Sequence, residues 1–153
     1  MKLRIVAVDK IREPYVAAAV ADFRTRLRRY ANLDEIEVPA SRGADPTRAA
    51  REESERILAA LQPTDVLWLL DREGTQLSSV ELAERLRAQA DSRGGSLALA
   101  IGGAYGVDER LKSRAAFRWS LSRLTFLHEW TRALVLEQLY RAAKIARSEP
   151  YHH

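Results

Sequence analysis

The 153-residue chain contains no cysteine, one methionine and three histidines. Without cysteine there is no disulfide, no thiolate nucleophile and no Cys-ligated zinc or iron-sulfur site. Histidines at 128, 152 and 153 are too few for a histidine-rich metal centre, so no metal is expected. No apolar run approaches the roughly 18 residues of a membrane span. The opening Met1-Lys2-Leu3-Arg4-Ile5-Val6 passes straight into a strand rather than a signal-peptide core. These absences predict a cytoplasmic protein with no membrane contact. Walker A, nucleophile-elbow and His-Glu-x-x-His motifs are missing too, so ordinary kinase and hydrolase chemistry has no footing. There is no linker, repeat or low-complexity stretch. With 46% hydrophobic residues, the chain is expected to form one domain over 1–153.

What is present begins with charge. The formal net charge is +4, almost all cations are arginine, and between positions 112 and 147 cations outnumber acids. Arginine binds phosphate bidentately and stacks on bases, which fits a nucleic-acid partner; a solvated surface or a compositional bias accounts for it equally well.

Strand and helix patterns alternate along the chain. Leu3 to Val8 reads as a short β-branched strand, and Tyr15, Ala19, Phe23 and Leu27 recur at i+4 as the apolar face of a helix. Glu35-Ile36-Glu37-Val38 alternates and stops at Pro39, as an edge strand does. Asp45-Pro46 reads as the N-cap and first position of a second helix, with Ile57, Leu58 and Leu61 on one face. Asp65 to Leu70 is nearly all apolar, the pattern of a strand covered on both faces; it is predicted to end at Asp71, with Gly74 in the turn. Ser78 and Glu81 have capping-box spacing before a third helix that Gly94-Gly95 breaks. An apolar strand to Ile101, a short helix from near Asp108, a strand around Trp119 ending at Leu121-Ser122, and a helix from about Trp130 to Arg147 complete the series. Such repetition predicts an α/β fold with a mostly parallel sheet and helices on both faces. The long final helix, apolar at Leu134, Val135, Leu136, Leu139, Tyr140 and Ala143, suits burial or a partner subunit; a homodimer is expected.

Ligands of parallel sheets sit at the carboxyl ends of the strands, where Ile101 runs into Gly102-Gly103-Ala104-Tyr105-Gly106. Glycines there let a ligand approach bare backbone, or simply permit a tight turn. Ser122 and Thr125 read either as site residues or as helix caps.

Three long motifs in order carry a resemblance. They are Ile101-Gly102-Gly103-Ala104-Tyr105-Gly106, Trp119-Ser120-Leu121-Ser122-Arg123-Leu124-Thr125, and His128 with Leu136-Glu137-Gln138-Leu139-Tyr140-Arg141-Ala142, closed by Glu149-Pro150-Tyr151-His152. Over its whole length the chain resembles the large-subunit ribosomal RNA methyltransferase H family, of the SPOUT class of knotted methyltransferases. The resemblance implies an α/β sheet whose C-terminal part forms a deep trefoil knot, a homodimer, and S-adenosylmethionine bound bent against the knot loops. It also implies methyl transfer to N3 of a pseudouridine in 23S ribosomal RNA within the assembled ribosome. Carried over residue by residue, the cofactor contacts are Leu70, Gly102, Leu121, Ser122, Arg123, Leu124, Thr125 and Phe126. Apolar residues suit that role, because adenine is recognised by backbone groups and packed between apolar side chains. The RNA side falls to His128, Arg132, Arg141, Tyr151 and His152, with Arg132 and His152 the candidate catalytic groups. Tyr151 suits base stacking, the arginines phosphate, and a neutral histidine can accept the imino proton. On the alternative reading these residues only form a frayed tail and helical ion pairs to Glu129 and Glu137.

Three positions depart from the family pattern: Asp9 stands for the usual Gly after the first strand, Leu127 for the Pro before His128, and Trp130-Thr131 for a more aliphatic pair. Losing the proline frees φ just beyond the cofactor loop. A non-catalytic ribosome-binding dimer that retains the fold is the alternative function.

Overall fold

In the computed structural model, residues 1–91 and 95–151 are described. Five strands form one all-parallel sheet: β1 (Lys2–Val8), β2 (Asn32–Val38), β3 (Val66–Gln76), β4 (Leu97–Ile101) and β5 (Phe117–Ser120), in the order β2-β1-β4-β3-β5. Glu35 to Val38 does lie in an edge strand, as its alternation predicts. All five residues of β4 are buried, and its neighbours are β1 and β3. Because side chains alternate across a strand, one chain segment serves two cores. Leu3, Ile5, Leu97, Leu99 and Trp68 face one layer, while Val6, Val8, Ala98, Ala100, Leu67 and Leu69 face the other.

Helices α1 (Pro14–Leu27), α3 (Ser79–Asp91) and α5 (His128–Ala146) supply the first layer through Val16, Val20, Leu82, Leu86, Leu136 and Leu139. Helices α2 (Pro46–Ala60) and α4 (Glu109–Arg114) supply the second through Ile57 and Leu111. Capping follows the sequence closely. Asp45 accepts the Thr47 and Arg48 N–H groups, Asp108 accepts that of Leu111, and Ser78 and Glu81 exchange their reciprocal pair at 2.7 and 3.2 Å. Gly94, one of the two glycines predicted to break α3, lies outside the described residues.

Four boundaries or faces differ from the sequence reading. The buried face of α1 runs through Val16, Val20 and Leu27, while Tyr15 is 58% exposed and rests its ring 5.8 Å from that of Trp130. Helix α5 starts at His128, because the Leu127 carbonyl already accepts the N–H groups of Trp130 and Thr131. Strand β3 does not end at Asp71. It leaves the ladder after Leu70, which pairs with Trp119, and rejoins it at Thr75, which pairs with Trp119 again. Finally, β5 ends at Ser120, so Leu121 and Ser122 begin the loop that follows.

Among the described residues, two that are not glycine hold left-handed backbone. Asp9 has φ 67°, a conformation that favours glycine, which the resemblance leads one to expect there; its carboxylate accepts the Lys10 N–H at 2.9 Å and pairs with Arg12 at 2.5 Å. Ser148 has φ 54° and closes α5 in a Schellman arrangement, with Ser148 N–H on the Ile145 carbonyl and Glu149 N–H on that of Lys144.

Candidate active site

At the carboxyl ends of β3, β4 and β5 lies a cavity of about 670 Å³. Three chain segments wall it. The first is the β3 excursion after Leu70, where Asp71 is held by Arg118 at 2.6 Å and accepts the Glu73 N–H at 3.0 Å. Burial opposes the Asp71 charge, but those bonds outweigh it and hold the carboxyl below its ordinary value. Gly74 lies so close to the Arg118 carbonyl of β5 that no side chain fits between them.

The second wall is the glycine turn. Gly106 donates its N–H to the Gly103 carbonyl and has φ 76°. A Cβ at Gly102 would stand 2.8 Å from Val107 Cγ1, and one at Gly103 would run into the Glu53 carboxylate and Val8. Gly102 is therefore needed for packing across the turn and Gly103 for packing behind it.

The third wall is the loop after β5. Ser122 Oγ accepts the Leu124 N–H at 3.1 Å, which fastens a local turn. It does not cap α5, whose N-cap is Leu127 and carries no side-chain cap bond; Thr125 makes no capping contact either. The buried Ser120 hydroxyl sits 2.9 Å from the Arg72 carbonyl and 3.0 Å from that of Ser122, tying the first wall to the third. Leu124 and Phe126 are exposed at 71% and 41%, apolar surface left unsatisfied at the cavity rim.

Of the residues assigned to a cofactor from sequence, Leu70, Gly102, Leu121, Ser122, Leu124, Thr125 and Phe126 line this one cavity; Arg123 does not. Asp71, Tyr105, Lys112 and Thr131 line it as well and were not singled out as site residues, since nothing in their local pattern differs from ordinary loop or helix. A larger concavity of about 850 Å³ opens beside Met1, Lys2, Arg28 and Asn32, at the amino ends of β1 and β2, away from the glycine turn.

The RNA-side candidates separate. His128 lines the cavity. Arg132 is buried behind it, donating at 2.6 Å to both Glu37 and the Asp9 carbonyl, rather than pairing with Glu129. Glu129 instead accepts the N–H groups of Arg12 and Glu13 at 3.0 and 3.1 Å, so the first turn of α5 clamps the segment joining β1 to α1. Arg141 lies further along α5, and Tyr151 lies in the tail that follows the helix. Both bond Glu137, at 2.7 and 2.5 Å, and the Arg141 guanidinium stands 3.7 Å from the Tyr151 ring centre. Burial and the Glu137 carboxylate raise the Tyr151 pKa, keeping its phenol protonated. The tail to Tyr151 is thus anchored, with Glu149 accepting from Tyr30 at 2.6 Å and paired to Lys144 at 3.0 Å. His152 lies outside the described residues.

Among the described residues no cluster of His, Asp or Glu is placed to hold a metal, and no helix is long and apolar enough to cross a membrane. The family described as "Predicted SPOUT methyltransferase" matches residues 1–152. Curated proteins named "Ribosomal RNA large subunit methyltransferase H" are similar over full length. That of Pelobacter propionicus is 44% identical over 153 residues, covering 100% of both chains. That of Trichlorobacter lovleyi is 41% identical with the same coverage, and that of Solidesulfovibrio magneticus is 41% identical over 151 residues, 99% of this chain and 98% of its own.

Proposed function

Because the chain belongs to the ribosomal RNA large subunit methyltransferase H family of the SPOUT class, we propose that it methylates N3 of a pseudouridine in 23S ribosomal RNA of the assembled ribosome, using S-adenosylmethionine. The observation that carries this is the cavity at the strand ends, whose three walls gather seven of the residues assigned to the cofactor. Its lining fits such a ligand. Leu70, Leu121, Leu124 and Phe126 offer apolar surface for an adenine ring, and the glycine turn offers backbone groups for its edge.

When bound, the sulfonium supplies an electrophilic methyl group, so the protein needs no nucleophile of its own. What its residues do is orient and hold. Leu70 and Leu121 pack the purine, the Ser120 hydroxyl keeps the two flanking loops in fixed relation, and His128 stands at the cavity where an imino proton can be accepted. Arg141 and Tyr151 form a cation and ring pair suited to phosphate and base.

The reading includes a homodimer. His128 and Arg141 are thirteen residues apart on one helix, roughly 20 Å at 1.5 Å per residue, too far for one chain to bring both to a single nucleotide. A second copy, docked on the exposed Leu124, Leu127, Trp130 and Tyr15, supplies the missing half. It also includes the C-terminal trefoil knot, which is consistent with β5 lying outside β3 while α5 returns to pack on α1 and α3.

The test is transfer of labelled methyl from S-adenosylmethionine to purified ribosomes whose pseudouridine is unmodified. Label appearing at N3 of that base is expected. Stable ribosome binding without transfer would instead leave a binding protein.

A further inference from the structure

Three buried polar atoms lack a hydrogen-bond partner among the described residues: Asp65 Oδ1, Arg132 Nε and Glu53 Oε2. The first two belong to groups already neutralised, Asp65 by Arg4 at 2.7 Å and Arg132 by Glu37 at 2.6 Å. Glu53 has no such counter-ion among the described residues. It is 4% exposed on α2, and its other oxygen accepts only the Ser41 N–H at 2.9 Å.

Its location gives the isolation a meaning. Glu53 lies directly behind Gly103, where any Cβ would strike its carboxylate, and its neighbour Ser54 accepts the Asp108 N–H at 2.9 Å at the far end of the same turn. Helix α2 therefore backs the glycine wall of the cavity with one buried carboxyl group. The charged residues that line the cavity from other elements, Asp71 and Glu73 against Arg72 and Lys112, balance formally. Asp71 is paired with Arg118 and Lys112 with Glu109, and all four reach solvent. Water screens them more than it screens Glu53, so an ionised carboxylate there acts on the cavity across one layer of backbone with less screening than the charges at the rim.

Leaving such a charge unpaired is costly unless a cation arrives. We propose that Glu53 is a specificity-determining residue whose charge makes the cavity prefer the cationic sulfonium donor over the uncharged thioether left after transfer. This rests on the cavity being the S-adenosylmethionine site. In the reaction the sulfur–methyl bond breaks with its electron pair staying on sulfur, the methyl bonds to the acceptor nitrogen, and that nitrogen gives up its proton. The ligand thereby loses its positive charge, and with it the attraction of Glu53, which favours product release.

Calorimetric titration of the full chain with S-adenosylmethionine and with S-adenosylhomocysteine tests this. Glu53→Gln, which keeps shape and removes charge, is expected to weaken the sulfonium ligand about tenfold and to move the thioether by less than about twofold. Glu53→Asp retains the preference even if both ligands bind more weakly. Equal weakening of both ligands by Glu53→Gln assigns the residue a packing role only and overturns the inference, as does no change in either. Should Glu53→Gln not fold, the wild-type protein decides: an analogue carrying an ammonium in place of the sulfonium binds more tightly than the thioether if the inference holds, and no more tightly if it fails. Failure of the site itself reads differently, as wild-type protein that binds none of the three ligands or binds them equally well after Gly102→Val.

Discussion

Glu129 shows how one side chain can hold a segment more than a hundred positions away. Its carboxylate takes two backbone N–H groups, from Arg12 and Glu13, and these are the main reason its pKa lies below the ordinary 4.5. Folding thus favours the ionised form. The stabilisation is complete above 4.5 and is lost as pH falls through the lowered folded value. Replacing Glu129 by Gln, which can satisfy one N–H but carries no charge, should lower the thermal midpoint at pH 7 by a margin that shrinks on acidification to pH 4. A margin independent of pH would show that shape, and not charge, is what the clamp uses. Arg132, one turn on, is engaged in the same clamp through Glu37 and the Asp9 carbonyl, so its removal acts on the position of the β1 to α1 segment as well as on any RNA contact.

At the scale of elements, the helix termini were the most legible part of the sequence. Caps are local chemistry, so Asp45-Pro46, Ser78 with Glu81, and Asp108 announce α2, α3 and α4 directly. The face of α1 was less legible. Two apolar sets compete on it at i+4, and only the tertiary core buries Val16 and Val20 while leaving Tyr15 at the surface beside Trp130. The excursion of β3 left no signal at all except Gly74, since it is defined by register against β5, over forty residues later. For the site, the cavity residues came from resemblance and the glycines from backbone reasoning; Glu53 escaped because nothing around it in α2 distinguishes a buried glutamate from its exposed neighbours. The loop before α5 bears on Leu127, where the resemblance leads one to expect proline. Leu127 has φ −55°, inside the proline range, and its N–H makes no hydrogen bond among the described residues. Leu127→Pro should therefore fit unchanged backbone and stabilise by about 0.4–1 kcal/mol, chiefly by restricting the unfolded chain. Chemical denaturation measures this, and a loss of stability would mean the loop samples another conformation.

The whole molecule divides its proposed chemistry between the two ends of α5, cavity at one and Arg141 with Tyr151 toward the other. If each tail serves the partner's cavity, two defective chains can complement. Gly102→Val, which drives a side chain into Val107, and Tyr151→Ala are each expected to lose methyl transfer as pure dimers. A random mixture should recover about a quarter of the wild-type rate, since half the dimers are mixed and each mixed dimer holds one complete site. No recovery would place each tail at its own cavity.

Trp119 gives this arrangement an optical handle. The indole is buried at 3% exposure, lines the cavity, and pairs with β3 on both sides of the excursion at Leu70 and Thr75. The neighbouring Ser120 hydroxyl joins the two walls into one body. A ligand that shifts either loop should therefore change the surroundings of that indole, and with Trp68 and Trp130 replaced by Phe the remaining tryptophan emission reports occupancy without any attached dye.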